Sequence, residues 1–376
     1  MKIMVVAAYF PPHIGGAENY AYNIAKGLKE EYNWEIVVIT SNHEEKKYKE
    51  KIVDGIKIYL LPRWFKISNT PINPLWYFQI KRIIKNEKPD IINAHTPVPF
   101  ISDVTARVCG DIPFILTYHT GAMMLKGKLL EDLLIKFYES SILKVTLKKA
   151  KKIICPSDFV RFDFLKNYSD KTTTVTPGVD INIFKPKIYN SKNKILFVGS
   201  LKGAEKYKGL EYLLSAVNII KKNIKDVKLT VVGDGNYVMY YKKLCKNLGI
   251  TRNVVFKGKL IGRNLIEQYQ KSNVSVLPSL SESFGIVLIE AMACKRPVIG
   301  SNIGGILSVI DNNENGLLVP PKDPEALADA IMEILKNSKL AKKMGENGYK
   351  KVKENFLWDK QIEKTKKIIE ESLGKK

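Results

Sequence analysis

The chain has few of the residues and patterns that mark metal-dependent, disulfide-stabilised or membrane-spanning proteins. None of its four cysteines forms a C-x-x-C pair or has a histidine at metal-binding spacing. A structural zinc site or a disulfide framework is therefore not expected, and free thiols fit the reducing cytosol. No apolar run of about 18 residues occurs, so no helix is expected to span a membrane.

Acidic residues are scarce relative to basic ones. The 376 residues include 61 lysines and arginines but 38 aspartates and glutamates, which gives a formal net charge of +23 at pH 7. Such a charge favours polyanions, among them nucleic acid, an anionic membrane surface and phosphorylated substrates. A lysine-rich solvated surface is the alternative and is favoured for most of the lysines. The hydrophobic fraction of 45% is typical of a globular protein and excludes a disordered chain.

Apolar runs typical of strands alternate with helical patterns along almost the whole chain. This alternation predicts parallel sheets with helices on both faces. A stretch rich in proline, glycine and polar residues, 176–193, divides the strands into two series. The expected strands cover residues 3–8, 35–40, 91–94, 114–118 and 152–156 in the first series, and 195–198, 228–232, 254–258, 274–277, 297–300 and 316–319 in the second.

The fold class expected from these two series is α/β, with two Rossmann-like domains that face each other. The first domain is expected to span residues 1–180 and the second residues 190–356. The last helical segment, 357–376, is expected to return to the first domain. Because doubly wound sheets bind ligands beyond the carboxyl ends of their strands, the site is expected in the cleft between the domains.

The segment from Glu282 to Glu290 is the most informative in the chain. Glu282 lies in a loop after the expected strand 274–277, and Glu290 lies in an apolar helical stretch, 286–294. The Ser-Phe-Gly sequence between them places a helix N-terminus directly after the first carboxylate. A helix N-terminus has free N–H groups and a partial positive charge, which suit a phosphate. Since the two carboxylates suit sugar and ribose hydroxyls, the segment predicts a nucleotide-sugar site.

Further candidate residues follow other expected strands. Gly15 and Gly16 open a helix after the first strand, a pattern that suits a phosphate and equally an ordinary βα turn. His119 follows the strand 114–118, where it suits contact with a sugar or an acceptor. On position alone, a satisfied loop histidine is the favoured interpretation of both His119 and His95. Lys208 precedes a helix of the second domain, where its charge suits a diphosphate.

The sequence Gly233-Asp234-Gly235 follows the expected strand 228–232 and begins like a dinucleotide-binding fingerprint. Val238 occupies the position of its third glycine, and no well-placed ribose-binding acid follows the next strand. NAD binding is therefore excluded, whereas a place for this loop beside a nucleotide stays open.

Two segments combine apolar and basic residues in a way that suits contact with lipid. Residues 63–67, with 76–78 soon after, are rich in aromatic side chains. Residues 122–149 interleave apolar side chains with lysines, including Lys126, Lys128 and Lys136. Basic amphipathic segments are typical of membrane-surface binding. A domain helix packed on its sheet is the alternative.

Taken together, these motifs resemble those of the retaining glycosyltransferases of family 4. The E-x7-E element from Glu282 to Glu290 is the hallmark of that family, and the likeness covers residues 1–360, most strongly in the second domain. The other matching residues are Gly15 to Glu18, Thr176 to Asp180, Val198 to Leu201, Lys208 and Gly209, Pro278 and Ser279, Ser283 to Gly285, Ala291 to Cys294, Pro297 and Val298, Gly304 and Gly305, and Asn315 to Pro320.

The resemblance implies the GT-B fold and a hexosyltransferase. It implies transfer from a UDP- or GDP-sugar to an acceptor hydroxyl with retention at the anomeric carbon, and no protein–sugar intermediate. By the same resemblance, Glu290 binds the ribose, and Glu282 grips the sugar together with the backbone of Phe284 and Gly285. His119 lines the donor sugar and the acceptor.

The expected diphosphate site departs from the family pattern at one position. Ser200 stands where the family commonly has an arginine. By the same resemblance, Lys208, Gly16 and the helix N-terminus stabilise the departing diphosphate. With serine at position 200, either Lys208 carries more of this role or Lys202 or Lys206 substitutes for the arginine. Because charge develops on the leaving diphosphate, its electrostatic stabilisation is expected to be the main catalytic contribution.

Neither a metal nor a tightly bound cofactor is expected, since GT-B enzymes generally need no metal and no D-x-D motif occurs. The nucleotide-sugar donor is a substrate. The acceptor stays open between a membrane lipid, a growing polysaccharide and a soluble sugar phosphate. The alternatives are a nucleotide-sugar epimerase of the same fold and a basic nucleic-acid-binding protein, which would lack a recognisable reading module. The expected location is the cytoplasm. Because of the basic charge, peripheral binding at the inner face of the cell membrane is a second expectation.

Overall fold

The computed structural model describes residues 1–11, 15–67, 70–96, 98–121, 129–187 and 192–374. The chain divides into two compact units. Unit 1 comprises Met1–Pro177 and Trp358–Lys376, and unit 2 comprises Gly178–Leu357. Each unit is built around its own sheet.

The strands of unit 1 form one large sheet and a separate hairpin. They are β1 (Lys2–Ala7), β2 (Glu35–Ser41), β3 (Lys49–Val53), β4 (Ile56–Leu61), β5 (Phe65–Ile67), β6 (Thr70–Ile72), β7 (Ile91–Thr96), β8 (Phe114–Tyr118), β9 (Lys152–Cys155) and β10 (Thr172–Thr174). The sheet order is β10-β9-β8-β7-β1-β2-β4-β3, and its neighbours are parallel except for β3 with β4. Strands β5 and β6 form the antiparallel hairpin.

Helices cover both faces of this sheet. Those between its strands are α1 (Gly16–Tyr32), α2 (Trp76–Glu87), α3 (Ile101–Val108), α4 (Leu129–Ser140) and α5 (Ile142–Lys149). The buried residues Tyr20, Ile24 and Leu28 recur at four-residue spacing along α1, so one stripe of the helix packs against the strands. Helix α1 ends where Asn33 adopts a left-handed conformation with a φ of 54°.

The described strands of unit 2 form a parallel sheet with the order β13-β12-β11-β14-β15-β16. These strands are β11 (Lys194–Val198), β12 (Lys228–Val232), β13 (Val254–Phe256), β14 (Val274–Leu277), β15 (Val298–Ser301) and β16 (Gly316–Val319). The helices of the unit are α6 (Leu210–Asn223), α7 (Val238–Asn247), α8 (Gly262–Lys271), α9 (Ile286–Ala293), α10 (Pro324–Lys336) and α11 (Ser338–Asn355). Burial of their apolar faces against the sheet supplies the core of the unit.

The last helix, α12 (Trp358–Ser372), belongs to unit 1. Its residues Ile362, Ile368 and Ile369 are buried in the same cluster as Ile24 of α1. At Gly27 of α1 the approach is close, because an added Cβ atom would lie 2.1 Å from Cδ1 of Ile362. Glycine at this position therefore allows α12 to pack against α1.

The α/β class and the parallel sheets expected from the sequence are confirmed. The bounds of β8, β12, β14 and β16 are those predicted. The sequence did not predict β3, β4, the β5–β6 hairpin or β10.

Candidate active site

Glu282 lies in the loop between β14 and α9. Gly285 precedes α9 in a left-handed conformation, with φ 96° and ψ 56°. Glycine adopts this backbone conformation at little cost, so Gly285 permits the turn from the loop into the helix. Gly285, the N-cap residue, makes no side-chain hydrogen bond to the N-terminus of α9. The first N–H groups of α9 are therefore suited to bind an anion.

Glu282 forms an ion pair with Lys208. The Lys208 Nζ atom lies 2.6 Å from Oε2 of Glu282, and the side chains are 20% and 12% exposed. Burial lowers the pKa of Lys208, but the charge of Glu282 and the neighbouring Tyr207 phenol outweigh burial and raise it above its ordinary value. The ammonium group is therefore charged at neutral pH. The residues that the sequence assigned separately to sugar and diphosphate are thus direct partners.

Backbone contacts hold the Lys208 turn against the loop after β14. Gly209 has a φ of 74°, and a Cβ atom there would lie 1.9 Å from the carbonyl oxygen of Pro278. The Leu280 N–H donates to the carbonyl oxygen of Tyr207 at 2.6 Å. A larger residue at position 209 would separate the turn from the loop, and with them the two charged groups.

A second glycine, Gly305, contacts the backbone of the loop that carries Glu282. The Gly305 N–H donates to the carbonyl oxygen of Glu282 at 2.8 Å. A Cβ atom at Gly305 would lie 2.0 Å from the carbonyl oxygen of Ser283. The Gly304-Gly305 sequence that matches the family thus has a packing role beside Glu282.

Glu290 lies on α9 and accepts a hydrogen bond from a buried tyrosine. The Tyr269 hydroxyl of α8 donates to Oε2 of Glu290 at 2.6 Å. Burial raises the pKa of Glu290 to about 7, and the hydrogen bond from Tyr269 opposes that rise. Phe184 packs edge-on against the Tyr269 ring, with centroids 6.0 Å apart. The sequence did not identify Tyr269, whose signal would have been an aromatic hydroxyl on the helix preceding β14.

The loop after β11 carries Ser200. The Ser200 Oγ atom is buried and has no hydrogen-bond partner within the described ranges. The Leu201 N–H donates to the carbonyl oxygen of Asp234 at 3.0 Å, and a Cβ atom at Gly233 would lie 1.8 Å from the carbonyl oxygen of Gly199. The glycine at 233 is therefore explained by the packing of the two loops, while the Ser200 hydroxyl is a candidate ligand contact.

The two lysines expected to substitute for the family arginine differ in their surroundings. Lys206 Nζ lies 3.4 Å from a carboxylate oxygen of Glu211 on α6 and 5.1 Å from the ring centroid of Tyr240. Lys202 is exposed. Lys202 is thus the more accessible of the two to an incoming diphosphate.

In unit 1, Gly15 and Gly16 stand at the start of α1. A Cβ atom at Gly15 would lie 2.2 Å from Oε2 of Glu18, whereas one at Gly16 would meet nothing within 4 Å in the described structure. The Glu18 carboxylate therefore lies against the helix N-terminus, where a negative charge is favourable. Residues 12–14 of the same predicted loop lie outside the described residues.

His119 is paired with His95. Nδ1 of His95 lies 2.9 Å from Nε2 of His119, and the rings are stacked with centroids 5.1 Å apart. Tyr20 of α1 packs edge-on against His119, at 5.0 Å between centroids. Burial lowers the pKa of His119 to about 4, against the opposing charge of Glu18. Burial, with a smaller contribution from His119, also lowers the pKa of His95 well below its ordinary value. Both imidazoles are therefore neutral at pH 7, and one ring donates a hydrogen bond to the other across the 2.9 Å contact.

Several other predicted features lie away from these contacts. Within the part of the chain that is described, no cluster of three or more His, Cys, Asp or Glu residues is arranged to hold a metal ion. Over the same residues, no helix combines the length and apolar character needed to cross a bilayer. The predicted lysines Lys126 and Lys128 lie outside the described residues, whereas Lys136 is exposed on α4.

Comparisons with known proteins agree along the whole chain. The family model described as Glycosyltransferase Family 4 matches residues 14–183, and the one described as Glycosyl transferases group 1 matches residues 179–351. An uncharacterized glycosyltransferase of Methanocaldococcus jannaschii is 30% identical over 99% of this chain and 98% of its own. The O-antigen chain mannosyltransferase C of Escherichia coli is 28% identical over 96% of both chains. Sucrose-phosphate synthase from Thermosynechococcus elongatus has a TM-score of 0.82 at 22% identity, covering 99% of each chain.

The two parallel-sheet units and these matches define a glycosyltransferase of the GT-B fold. The chain belongs to glycosyltransferase family 4. The resemblance identified from the E-x7-E element is confirmed.

Proposed function

We propose that this glycosyltransferase moves a hexosyl group from a UDP- or GDP-sugar to an acceptor hydroxyl, with retention at the anomeric carbon. In this proposal the domain of residues 190–356 binds the nucleotide sugar, and the domain of residues 1–180, completed by the C-terminal helix, binds the acceptor. A relative named as a mannosyltransferase, matched over 96% of both chains, supports a hexose donor.

The observation that carries the proposal is the pair of carboxylates associated with α9, each with its own partner. Tyr269 engages Oε2 of Glu290, which leaves Oε1 to accept hydrogen bonds from ribose hydroxyls. Glu282 is bonded to Lys208, so a cation stands beside the carboxylate that grips the sugar. A nucleotide diphosphate sugar offers all the groups that this arrangement recognises.

The same arrangement supplies the catalysis that we propose. As the bond between the anomeric carbon and the leaving oxygen breaks, negative charge develops on the diphosphate. The Lys208 ammonium, kept charged by Glu282, and the N–H groups at the start of α9 stabilise that charge. Ser200 and Gly16 are the further contacts of the diphosphate, and His119, neutral beside His95, lines the donor sugar and the acceptor.

The test is a thermal-shift screen with UDP- and GDP-sugars, followed by titration of the nucleotide that binds. A donor at 100 times its Kd should stabilise the native state by about 2.7 kcal/mol. Glu290→Ala should remove a hydrogen bond to a charged group, a loss of about 1.5–3 kcal/mol of binding free energy. Glu314→Ala, which changes an exposed glutamate outside these contacts, is the matched control. Donor binding by Glu290→Ala equal to that of wild type would contradict the ribose assignment.

We further propose peripheral binding to an anionic membrane surface, which would present a lipid-linked acceptor. Leu133 and Phe137 lie one turn apart on α4 and are 64% and 63% exposed, with exposed Lys136 between them. The opposite side of α4 is anchored, since the Tyr138 hydroxyl donates to Asp103 at 3.0 Å. This helix therefore both packs on its domain and presents an apolar, basic face.

Vesicle co-sedimentation tests this part of the proposal. Binding to phosphatidylglycerol vesicles should exceed binding to phosphatidylcholine vesicles and should weaken at high salt, because each basic residue near an anionic surface contributes about 1 kcal/mol. Lys136→Glu and Phe137→Ser should each reduce it. Equal, negligible binding to both vesicle types would contradict membrane binding and would mean that these side chains belong to an ordinary solvated surface.

A further inference from the structure

The carboxyl edge of the unit 1 sheet presents a polar side chain at each of five neighbouring strands. Strands β4, β2, β1, β7 and β8 are adjacent and parallel, so their carboxyl ends lie along one edge. The side chains there are Arg63 after β4, His43 after β2, Tyr9 after β1, His95 near the end of β7, and His119 after β8. Open parallel sheets bind ligands at this edge.

A cavity lies at the point of this edge where the strand order reverses. Strand β1 has β2 on one side and β7 on the other, which is the position that ligands occupy in doubly wound sheets. A small cavity there is lined by Tyr9, Glu18, His95 and His119, among other residues. The Nε2 atom of His95 is buried without a hydrogen-bond partner in the described structure. The edge therefore has both space and an unused polar atom.

Cationic side chains gather around Tyr9, which forms one wall of the cavity. The Tyr9 ring stacks on His43, with centroids 4.3 Å apart and 18° between the planes. Lys66 Nζ lies 5.9 Å from the centroid of the Tyr9 ring. Nη2 of Arg63 donates to the carbonyl oxygen of His43 at 3.3 Å. Two permanent cations and one imidazole thus lie beside this wall.

Arg63 retains most of its hydrogen-bonding capacity. It has five N–H donors in a planar fork, and its hydrogen bond to the carbonyl oxygen of His43 engages Nη2. No carboxylate of the described residues lies within ion-pair distance of Arg63. A guanidinium with free donors matches the oxygens of a phosphate, and the Lys66 ammonium adds a second point charge. A dianion suits this pair better than a neutral polyol.

We propose that unit 1 binds an acceptor that carries a phosphate group, with Arg63 and Lys66 as its anion-binding residues. The sugar or polyol part of the acceptor lies against Tyr9, and Glu18 accepts hydrogen bonds from its hydroxyls. This inference rests on the proposed function, because it names the chemical class of the molecule that receives the hexosyl group. A phosphate of a lipid headgroup and that of a soluble sugar phosphate share this chemistry.

The binding probe is glycerol 3-phosphate, compared with glycerol, on the full chain with and without saturating UDP or GDP. Wild type should bind glycerol 3-phosphate at least about tenfold more tightly than glycerol, since a charge-assisted bidentate contact is among the strong hydrogen bonds. Arg63→Gln and Lys66→Gln should each weaken that binding about tenfold. Lys85→Gln, an exposed lysine of α2, is the matched control and should leave it unchanged. All variants should keep the nucleotide affinity of wild type.

Vesicles of phosphatidylglycerol form the second arm, which separates the two sources of phosphate. If Arg63→Gln and Lys66→Gln lose glycerol 3-phosphate binding but keep vesicle binding, the acceptor is soluble. If they lose both glycerol 3-phosphate binding and vesicle binding, the acceptor is lipid-borne. Loss of vesicle binding alone overturns the inference, because the cations then serve a bilayer surface. Equal binding of glycerol and glycerol 3-phosphate by wild type also overturns it. Absence of nucleotide binding in wild type would instead refute the proposed function, and it is read in a separate titration.

Discussion

Tyr269→Phe is the most discriminating perturbation of the candidate site. The substitution removes one oxygen and keeps the ring that packs against Phe184, so the buried shape is preserved. What it deletes is the 2.6 Å hydrogen bond to Oε2 of Glu290. Because the Glu290 carboxylate is already disfavoured by burial, loss of this donor should shift its titration further rather than unfold the domain.

The expected magnitude follows from the energy of one hydrogen bond to a charged group. That energy is about 1.5–3 kcal/mol, and about 1.4 kcal/mol corresponds to one pKa unit. The pKa of Glu290, about 7 in wild type, should therefore rise by about one to two units in the variant. At pH 7 the ionised fraction would fall from about a half to between about a tenth and a hundredth, which should weaken nucleotide binding roughly 5- to 50-fold.

Calorimetric titration of UDP or GDP at pH values from 6 to about 9 measures the effect. The affinity of wild type should rise through pH 7, because in the proposed site the ionised carboxylate of Glu290 accepts both ribose hydroxyls. The variant should show the same rise at higher pH and approach wild type at the alkaline end. Tyr241→Phe, which alters another buried tyrosine of unit 2, should keep the wild-type profile. Parallel curves for wild type and Tyr269→Phe, offset equally at every pH, would refute the positioning of Glu290 by Tyr269.

Three further outcomes are expected. Glu290→Gln should raise the free energy of unfolding above pH 7 by up to about 3 kcal/mol. The reason is that the folded pKa of Glu290, about 7, exceeds the unfolded value, so the stability contributed by the protonated acid is lost as pH rises through 7. Chemical denaturation at pH 4 and pH 8 should show the gain at pH 8 alone. Lys208→Met should destabilise the protein by about 1–3 kcal/mol, because it leaves the partly exposed Glu282 unpaired. Adding Glu282→Gln should restore thermal stability without restoring transfer. A double variant as unstable as the single one would argue against the pair. Ser200→Ala should leave the free enzyme as stable or more stable, since the buried hydroxyl lacks a partner, but should lower nucleotide affinity; unchanged affinity would exclude Ser200 from the diphosphate contacts.

The buried strands of the fold were predictable from the sequence because parallel strands covered on both faces are short apolar runs. Strand β14, Val274–Leu277, is such a run. Strand β3 was missed because it is an exposed edge strand whose sequence, Lys-Glu-Lys-Ile-Val, is mostly charged. In β4 the charge of Lys57 is neutralised by Glu87, 2.9 Å away. That partner is thirty residues distant in sequence, so the pattern of the strand alone does not reveal it.

In the candidate site, too, some features were predictable from the sequence and others were not. The expectation of carboxylates around a helix N-terminus came from spacing alone, and α9 begins where that spacing placed it, after Gly285. The partners of those carboxylates depend on tertiary contacts between separate elements. Lys208 reaches Glu282 across 74 residues, and Tyr269 reaches Glu290 from a different helix. His95 meets His119 because β7 and β8 are neighbours in the sheet, a relation that the order of strands in the sequence only suggests.

The pairing of Lys208 with Glu282 also bears on how the enzyme prepares for its substrate. A lone buried ammonium would lose its proton or draw in water, and either change would have to be reversed when a diphosphate arrives. Glu282 keeps the ammonium charged and fixed at 2.6 Å before any donor binds. In the proposed reaction, the diphosphate then meets a cation that was desolvated and oriented when the domain folded. This preorganisation is the condition under which an electrostatic contact lowers the barrier as charge develops on the leaving group. Glu282 therefore has two roles in the proposed reaction, one toward the sugar and one toward the lysine.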